Sequence, residues 1–215
     1  MTPAMQSHAV MALCRIAPVI PVLVVEELRH AEKLAQALVA GGLPVMEVTL
    51  RTGCAVEAIA AMAAVPGARV GAGTVLTAHD AARVRAAGAE FAVSPGATPG
   101  LLAACAAQNL PLLPGAATAS EVMQLLETGY RMLKFFPAEA AGGMDMLSAL
   151  HGPLPQASFC PTGGIDAGNA QGWLRLPNVV CVGGSWVAPR ARMRAGEWDA
   201  IEKLARDAAA LLRED

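Results

Sequence analysis

Lys134 is the residue on which any covalent chemistry in this chain would turn. The 215 residues include three lysines against thirteen arginines, and Lys33 and Lys203 sit in charged segments with helical spacing. Lys134 instead lies in Arg131-Met-Leu-Lys-Phe-Phe-Pro137, an apolar run with strand character. A charge there is costly unless it is paired or neutralised. Strand alternation puts Met132, Lys134 and Phe136 on one face. If that face lines an interior, partial desolvation disfavours the ammonium and frees a neutral amine to attack a carbonyl. Two other fates stay open for such a lysine: snorkelling outward, or simple pairing with a carboxylate.

A second apolar run supplies that carboxylate. In Val45-Met-Glu-Val-Thr-Leu-Arg51, period two sets Glu47, Thr49 and Arg51 on one face. Glu47, in mid-strand among valine and methionine, is expected to pair with Lys134 or to work as an acid and base. Arg51 lies about 13 Å further along at ~3.3 Å per residue, near the strand's end. Its guanidinium fork could hold a substrate carboxylate there through two hydrogen bonds. A purely structural ion pair across the interior is the competing explanation for Glu47.

Two later runs end in glycine pairs, in Cys160-Pro-Thr-Gly-Gly-Ile165 and Val182-Gly-Gly-Ser-Trp186. Backbone N–H groups bared by glycine can cradle a phosphate. Turn geometry explains either pair alone; two pairs on adjacent strands carry more weight. Gly71-Ala-Gly-Thr74 and Ser94-Pro-Gly96 are small and polar and leave room for a ligand. An amine, a carboxylate, a carboxylate-binding arginine and a phosphate cradle together suit a phosphorylated 2-oxo acid.

The elements that must position these groups follow from the apolar periodicity. Eight short apolar runs (19–24, 45–50, 69–75, 91–94, 110–113, 131–136, 158–162 and 179–182) recur about every 23 residues, room for a strand, a loop and a helix. Several are apolar on both faces, as parallel strands covered on both sides tend to be. Between them, 26–40 carries Leu28, Ala31, Leu34, Ala35 and Leu38 on one stripe and stops at Gly41. Thr77 with Asp80, and Thr118 with Glu121, have capping-box spacing. A last amphipathic helix spans 197–212. The expected fold is an α/β single domain, a compact (β/α)8 TIM barrel over 1–215. Residues 1–17 would form an extra N-terminal helix closing its bottom, 18–190 the barrel core, and 191–215 the C-terminal helix. An open doubly wound sheet is the alternative, but its GxGxxG fingerprint does not follow the first strand.

Composition excludes other classes. With 54% hydrophobic and 16% charged residues, the chain is too apolar for disorder. A net charge of −2 leaves no footprint for nucleic acid or an anionic membrane. The uncharged stretch 91–120 is cut by Pro95, Pro99, Pro111 and Pro114, and its longest uninterrupted piece, 101–110, is too short to span a bilayer. The first basic residue is Arg15, so no signal-peptide n-region is present and a cytoplasmic protein is expected. Five scattered cysteines without a CxxC pair suit a reducing compartment, and four scattered histidines suggest no metal.

Five segments carry a resemblance. Glu47-Val-Thr-Leu-Arg-Thr52, Gly71-Ala-Gly-Thr-Val75, Lys134-Phe-Phe-Pro-Ala-Glu139, Phe159-Cys-Pro-Thr-Gly-Gly164 and Gly183-Gly-Ser-Trp186 resemble the bacterial 2-keto-3-deoxy-6-phosphogluconate (KDPG) and 4-hydroxy-2-oxoglutarate (KHG) aldolases. The similarity runs from about Ile20 to Pro189. It implies that Lys134 is a Schiff-base lysine and Glu47 the general acid/base. It also implies that Arg51, Thr74, Pro95, Phe136 and Thr162 surround the pyruvyl group, and that Gly163, Gly164, Gly183, Gly184 and Ser185 bind phosphate. A homotrimer without cofactor or metal is implied as well, since the iminium itself acts as the electron sink. The expected activity is class I cleavage of KDPG to pyruvate and glyceraldehyde 3-phosphate, and of KHG to pyruvate and glyoxylate. The rivals are a related aldolase for a galactonate-derived substrate, a phosphate-binding isomerase, and a catalytically silent phosphosugar-binding protein.

Overall fold

A computed structural model describes residues 1–211. Its strands are β1 (Val19–Leu23), β2 (Val45–Thr49), β3 (Arg69–Gly73), β4 (Phe91–Val93), β5 (Leu112–Leu113), β6 (Gly115–Ala116), β7 (Met132–Phe135), β8 (Ser158–Pro161) and β9 (Val182–Gly184). They pair in parallel as β5-β4-β3-β2-β1-β9 and as β6-β7-β8, curling with helices between successive strands except at β5 and β6, which Pro114 alone separates. Every residue of β2 and of β7 is buried, which explains why these runs read as continuously apolar.

The two faces bury different partners. Outward residues such as Val19, Met46, Val48 and Leu133 belong to the larger core, which also takes in Leu34 and Leu38 of α2 (Ala31–Ala40) and Ile59 and Met62 of α3 (Ala55–Ala63). Inward residues Ile20, Val45, Phe91, Val93, Leu113, Met132 and Cys160 form a smaller core. Val10, Leu13 and Cys14 of α1 (Pro3–Cys14) join it from the N-terminal end of the strands. Polar groups of α1 serve the strand ends: Ser7 Oγ accepts from the Arg131 and Met132 N–H groups at 2.8 and 2.9 Å. Gln6 Oε1 accepts from the Leu112 N–H at 3.2 Å.

Several local expectations are met. The helices α4 (Ala78–Ala86) and α6 (Ala119–Thr128) both start with reciprocal capping boxes, Thr77 with Asp80 and Thr118 with Glu121. The Ala117 N–H, with smaller help from Thr118, holds the Glu121 carboxyl below its ordinary range. Thr118→Ala should cost about 1 kcal/mol, read from the urea midpoint at unchanged slope. No helix among the described residues is long and apolar enough to cross a membrane.

Other boundaries move. The first turn of the expected 26–40 helix is a 3-10 turn, Leu28–His30, before α2. Gly41 does end α2, but with φ −77° it needs no left-handed backbone. A Cβ there would run into Ala205 and the Glu202 carbonyl of α10 (Trp198–Ala209), so glycine serves close helix contact. The run 110–113 becomes β5, with β6 resuming beyond Pro114, which has no N–H to give a ladder. The last run shifts forward to β9. Between the bridges Phe159↔Val179 and Thr162↔Gly183 one chain advances by an extra residue, a bulge that displaces the ladder. Of the expected helix 197–212, α10 covers Trp198–Ala209, and residue 212 lies outside the described residues. The remaining helices are α5 (Pro99–Ala107), α7 (Gly143–His151), α8 (Ala170–Leu174) and α9 (Arg190–Ala195).

Candidate active site

The C-terminal ends of the strands surround a cavity of about 500 Å³. Lys134 reaches it from β7, on the inner face with Met132 below it. Its Nζ donates to Glu47 Oε1 and Oε2 at 3.2 and 3.4 Å, and stands 5.4 Å from the centre of the Phe136 ring. Lys134 is 5% and Glu47 3% exposed, so each charge depends on the other. Space for the carboxylate comes from β3: a Cβ on Gly73 would strike the Glu47 side chain. Gly71 likewise makes way for Phe91. Thr49 shares the Glu47 face but donates its hydroxyl to the Leu23 carbonyl at 2.9 Å, which commits it to joining β1 and β2.

Arg51 follows β2 at the cavity rim. Its Nε donates to Thr74 Oγ1 at 3.3 Å, which leaves the two terminal nitrogens for a carboxylate. Thr74 holds φ +60°. A β-branched residue in the left-handed region stores about 1–3 kcal/mol of strain, and such strain clusters at ligand sites. Thr162 lines the cavity with a buried Oγ1 that has no partner among the described residues, a group for a ligand to satisfy.

The glycine pairs differ in kind. Gly163 and Gly164 take φ +104° and +82°, and a Cβ on Gly164 would strike Glu139. Asn169 Nδ2 pins this loop by donating to the Gly164 carbonyl at 2.9 Å. The Trp173 indole steadies Glu139 at 3.3 Å. Gly183 and Gly184 belong to β9 and need no unusual backbone. They are glycine because a Cβ would meet the Thr162 side chain in one case and the Trp186 ring in the other. Both pairs and the exposed Ser185 line the cavity together with Arg51, Lys134, Phe136 and Thr162.

A model of the family described as "Aldolase: KDPG and KHG aldolase" matches residues 10–204. The chain belongs to that family. A KHG/KDPG aldolase of Escherichia coli K12 is 54% identical over 192 residues, 89% of this chain and 90% of that protein. The KDPG aldolase of Zymomonas mobilis ZM4, solved with 3-phosphoglycerate, superposes with a TM-score of 0.92 at 48% identity, covering 96% of this chain and 98% of that one. The KDPG aldolase of Legionella pneumophila, solved with pyruvate captured as a covalent carbinolamine, gives 0.90 at 48% identity, with 93% and 98% covered.

Within this aldolase, three residues named from the sequence stand back from the cavity wall: Thr74, Pro95 and Glu47, which meets it through Lys134. Thr74 reaches it only through Arg51. Pro95, in the loop after β4, lies against Gly115, where a Cβ would strike its carbonyl group. The sequence reading missed Trp186, which walls the glycine end of the cavity, and Arg190, which closes its rim. The dense arginines at 190, 192 and 194, directly after the glycine motif, were the available signal for the second.

Proposed function

We propose that this chain is a class I aldolase cleaving KDPG to pyruvate and glyceraldehyde 3-phosphate, and KHG to pyruvate and glyoxylate. The observation that carries the proposal is the buried Lys134–Glu47 contact, 3.2 Å long, at a cavity with an arginine and a glycine cradle on its walls. Lys134 passes a proton to Glu47, and the lone pair of the resulting amine attacks the C2 ketone to form a carbinolamine, to whose hydroxyl Glu47 then returns the proton. Loss of water gives the iminium. Glu47, through a water, takes the C4 hydroxyl proton as the C3–C4 bond breaks, and the bond's electrons pass into the iminium as an enamine. Protonation at C3 and hydrolysis release pyruvate.

Arg51, positioned by its bond to Thr74, grips the C1 carboxylate, Phe136 and Thr162 wall the pyruvyl end, and Pro95 supports it from the loop after β4. Gly163, Gly164, Gly183, Gly184 and Ser185 receive the phosphate through backbone and hydroxyl donors. Supporting an eight-strand barrel, β5 and β6 flank a single proline and β9 pairs with β1, while the bridges from 159 and 162 reach the β9 segment. On this reading residues 1–17 supply the N-terminal helix and 18–190 the barrel core of one domain; the expected single C-terminal helix over 191–215 is instead α9 and α10, and its residues 212–215 lie outside the described residues. The family resemblance adds a homotrimer, measurable as solution mass. Five free cysteines favour a cytoplasmic setting.

The test compares kcat/KM on the two substrates. Arg51→Ala should lower both by about 10–150-fold, the scale of a lost charge-assisted contact worth roughly 1.5–3 kcal/mol. Ser185→Asp places a like charge in the cradle and should impair KDPG cleavage by a similar factor while reducing KHG cleavage far less. Position 184 is unsuitable for this test, because any side chain there meets the Trp186 ring. Equal losses on both substrates in the Ser185 variant, with the fold intact by circular dichroism, would put the phosphate elsewhere.

A further inference from the structure

The glycine cradle offers N–H and hydroxyl donors but no formal charge. Three charged side chains line the cavity among the described residues: Lys134, Arg51 and Arg190. Lys134 is held by Glu47 and bonds to substrate carbon on the reading above, and Arg51 stands at the end of β2 beside Thr74. Arg190 begins α9, five residues beyond Ser185 and on the same cavity wall. A phosphate settling against Gly183 to Ser185 would share the cavity with this positive charge, which neither the Lys134–Glu47 pair nor the carboxylate contact of Arg51 engages.

We infer that Arg190 is a specificity-determining residue, a cation at the cavity rim that selects substrates ending in a phosphate dianion. The inference rests on the aldolase reading and deepens its account of the distal substrate end.

The contacts of Arg190 leave it available. Its Nη1 stands 3.5 Å from Glu26 Oε1, with the two side chains 56% and 29% exposed. The other oxygen of Glu26 takes the shorter bond, from Arg194 Nε at 2.7 Å. One carboxylate is thus shared by two guanidinium groups, and Arg194 does most to hold it below its ordinary range. Glu27 also acts on Arg194 but is itself paired with Arg29 at 2.6 Å, so three guanidinium groups face two carboxylates and the cluster keeps a surplus positive charge. A long, exposed pair of this kind is worth little, so turning toward a dianion costs Arg190 little. What it gains is a charge-assisted and potentially bidentate contact. Arg192, its neighbour on α9, bonds Glu197 at 2.9 Å and is not among the cavity-lining residues.

The experiment uses the full-length enzyme and three probes: KDPG, the same sugar acid without its phosphate, and inorganic phosphate as a competitor. Arg190→Ala should raise KM for KDPG by roughly 10-fold or more with kcat little changed, in line with one lost charge-assisted contact. Activity on the unphosphorylated acid should stay the same, and inorganic phosphate should compete less well. Arg190→Lys should restore part of the loss. Glu26→Gln breaks the same surface contacts and reports on a merely structural role; it should leave KM for KDPG unchanged or lower it. The inference is overturned if Arg190→Ala weakens both acids equally, if phosphate competes as well as before, or if Glu26→Gln reproduces the defect. Should inorganic phosphate fail to compete even with the unaltered enzyme, the cradle itself is misassigned and the role of Arg190 falls with it.

Discussion

Borohydride reduction in the presence of pyruvate is expected to leave a covalent adduct on Lys134 and on no other lysine. Lys134 is the lysine that lines the cavity, with Glu47 in reach to take its proton and the Phe136 ring beside it. Lys33 lies exposed on α2, and Lys203 on α10 donates to Asp207 at 2.6 Å in open solvent. Neither lines the cavity. Peptide mapping by mass decides the matter: an adduct on Lys33 or Lys203, or none, removes the Schiff base from the mechanism. Lys134→Ala should form no adduct and lose turnover by as much as about 10⁶-fold, the scale seen when a covalent nucleophile is removed from a serine protease. That variant leaves Glu47 buried and unpaired, at a cost of about 3–5 kcal/mol, so its fold must be checked by circular dichroism. The mapping on unaltered enzyme is independent of that cost. EDTA should leave activity unchanged, because the iminium takes the place of a Lewis acid.

Glu47→Gln should still trap pyruvate but turn over about 10²–10⁴-fold more slowly, the usual share of general acid/base catalysis. The amide keeps the shape of the side chain, so the pocket opened by Gly73 still fits it. Its oxygen can accept from Lys134 as well. What it lacks is the capacity to take the C4 hydroxyl proton. Adduct formation with slow cleavage separates this role from that of Lys134, where both fail. Unimpaired turnover in the Gln variant would leave Glu47 as a structural counter-ion only.

Much of the site was legible because its information is local. A charge in an apolar run is conspicuous, and alternation assigns Lys134 and Glu47 to faces without reference to the rest of the molecule. The capping pairs Thr77–Asp80 and Thr118–Glu121 were legible for the same reason, their partners being three residues apart. Close approaches between distant segments were not. Gly183 and Gly184 read as a phosphate cradle at a strand end, and only the fold shows that they are glycine within the strand to clear Thr162 and Trp186. Gly41 read as a helix stop and proves to admit α10. Alternation placed Thr49 on the face of Glu47 and Arg51, and only the fold shows its hydroxyl tying two strands together.

Residue type and spacing alone determined which side chains could carry the chemistry: one amine and one carboxylate in apolar strands, one arginine further along, and two glycine pairs. Those properties follow from the period of a strand and the cost of a buried charge, which act over a few residues. Pairing of Lys134 with Glu47 was decided only in three dimensions, because 87 residues separate them and their meeting depends on how the sheet curls. The bulge before β9 and the place of Arg190 at the cavity were likewise decided only in three dimensions, since a rim is made by segments that meet only when distant strands come together.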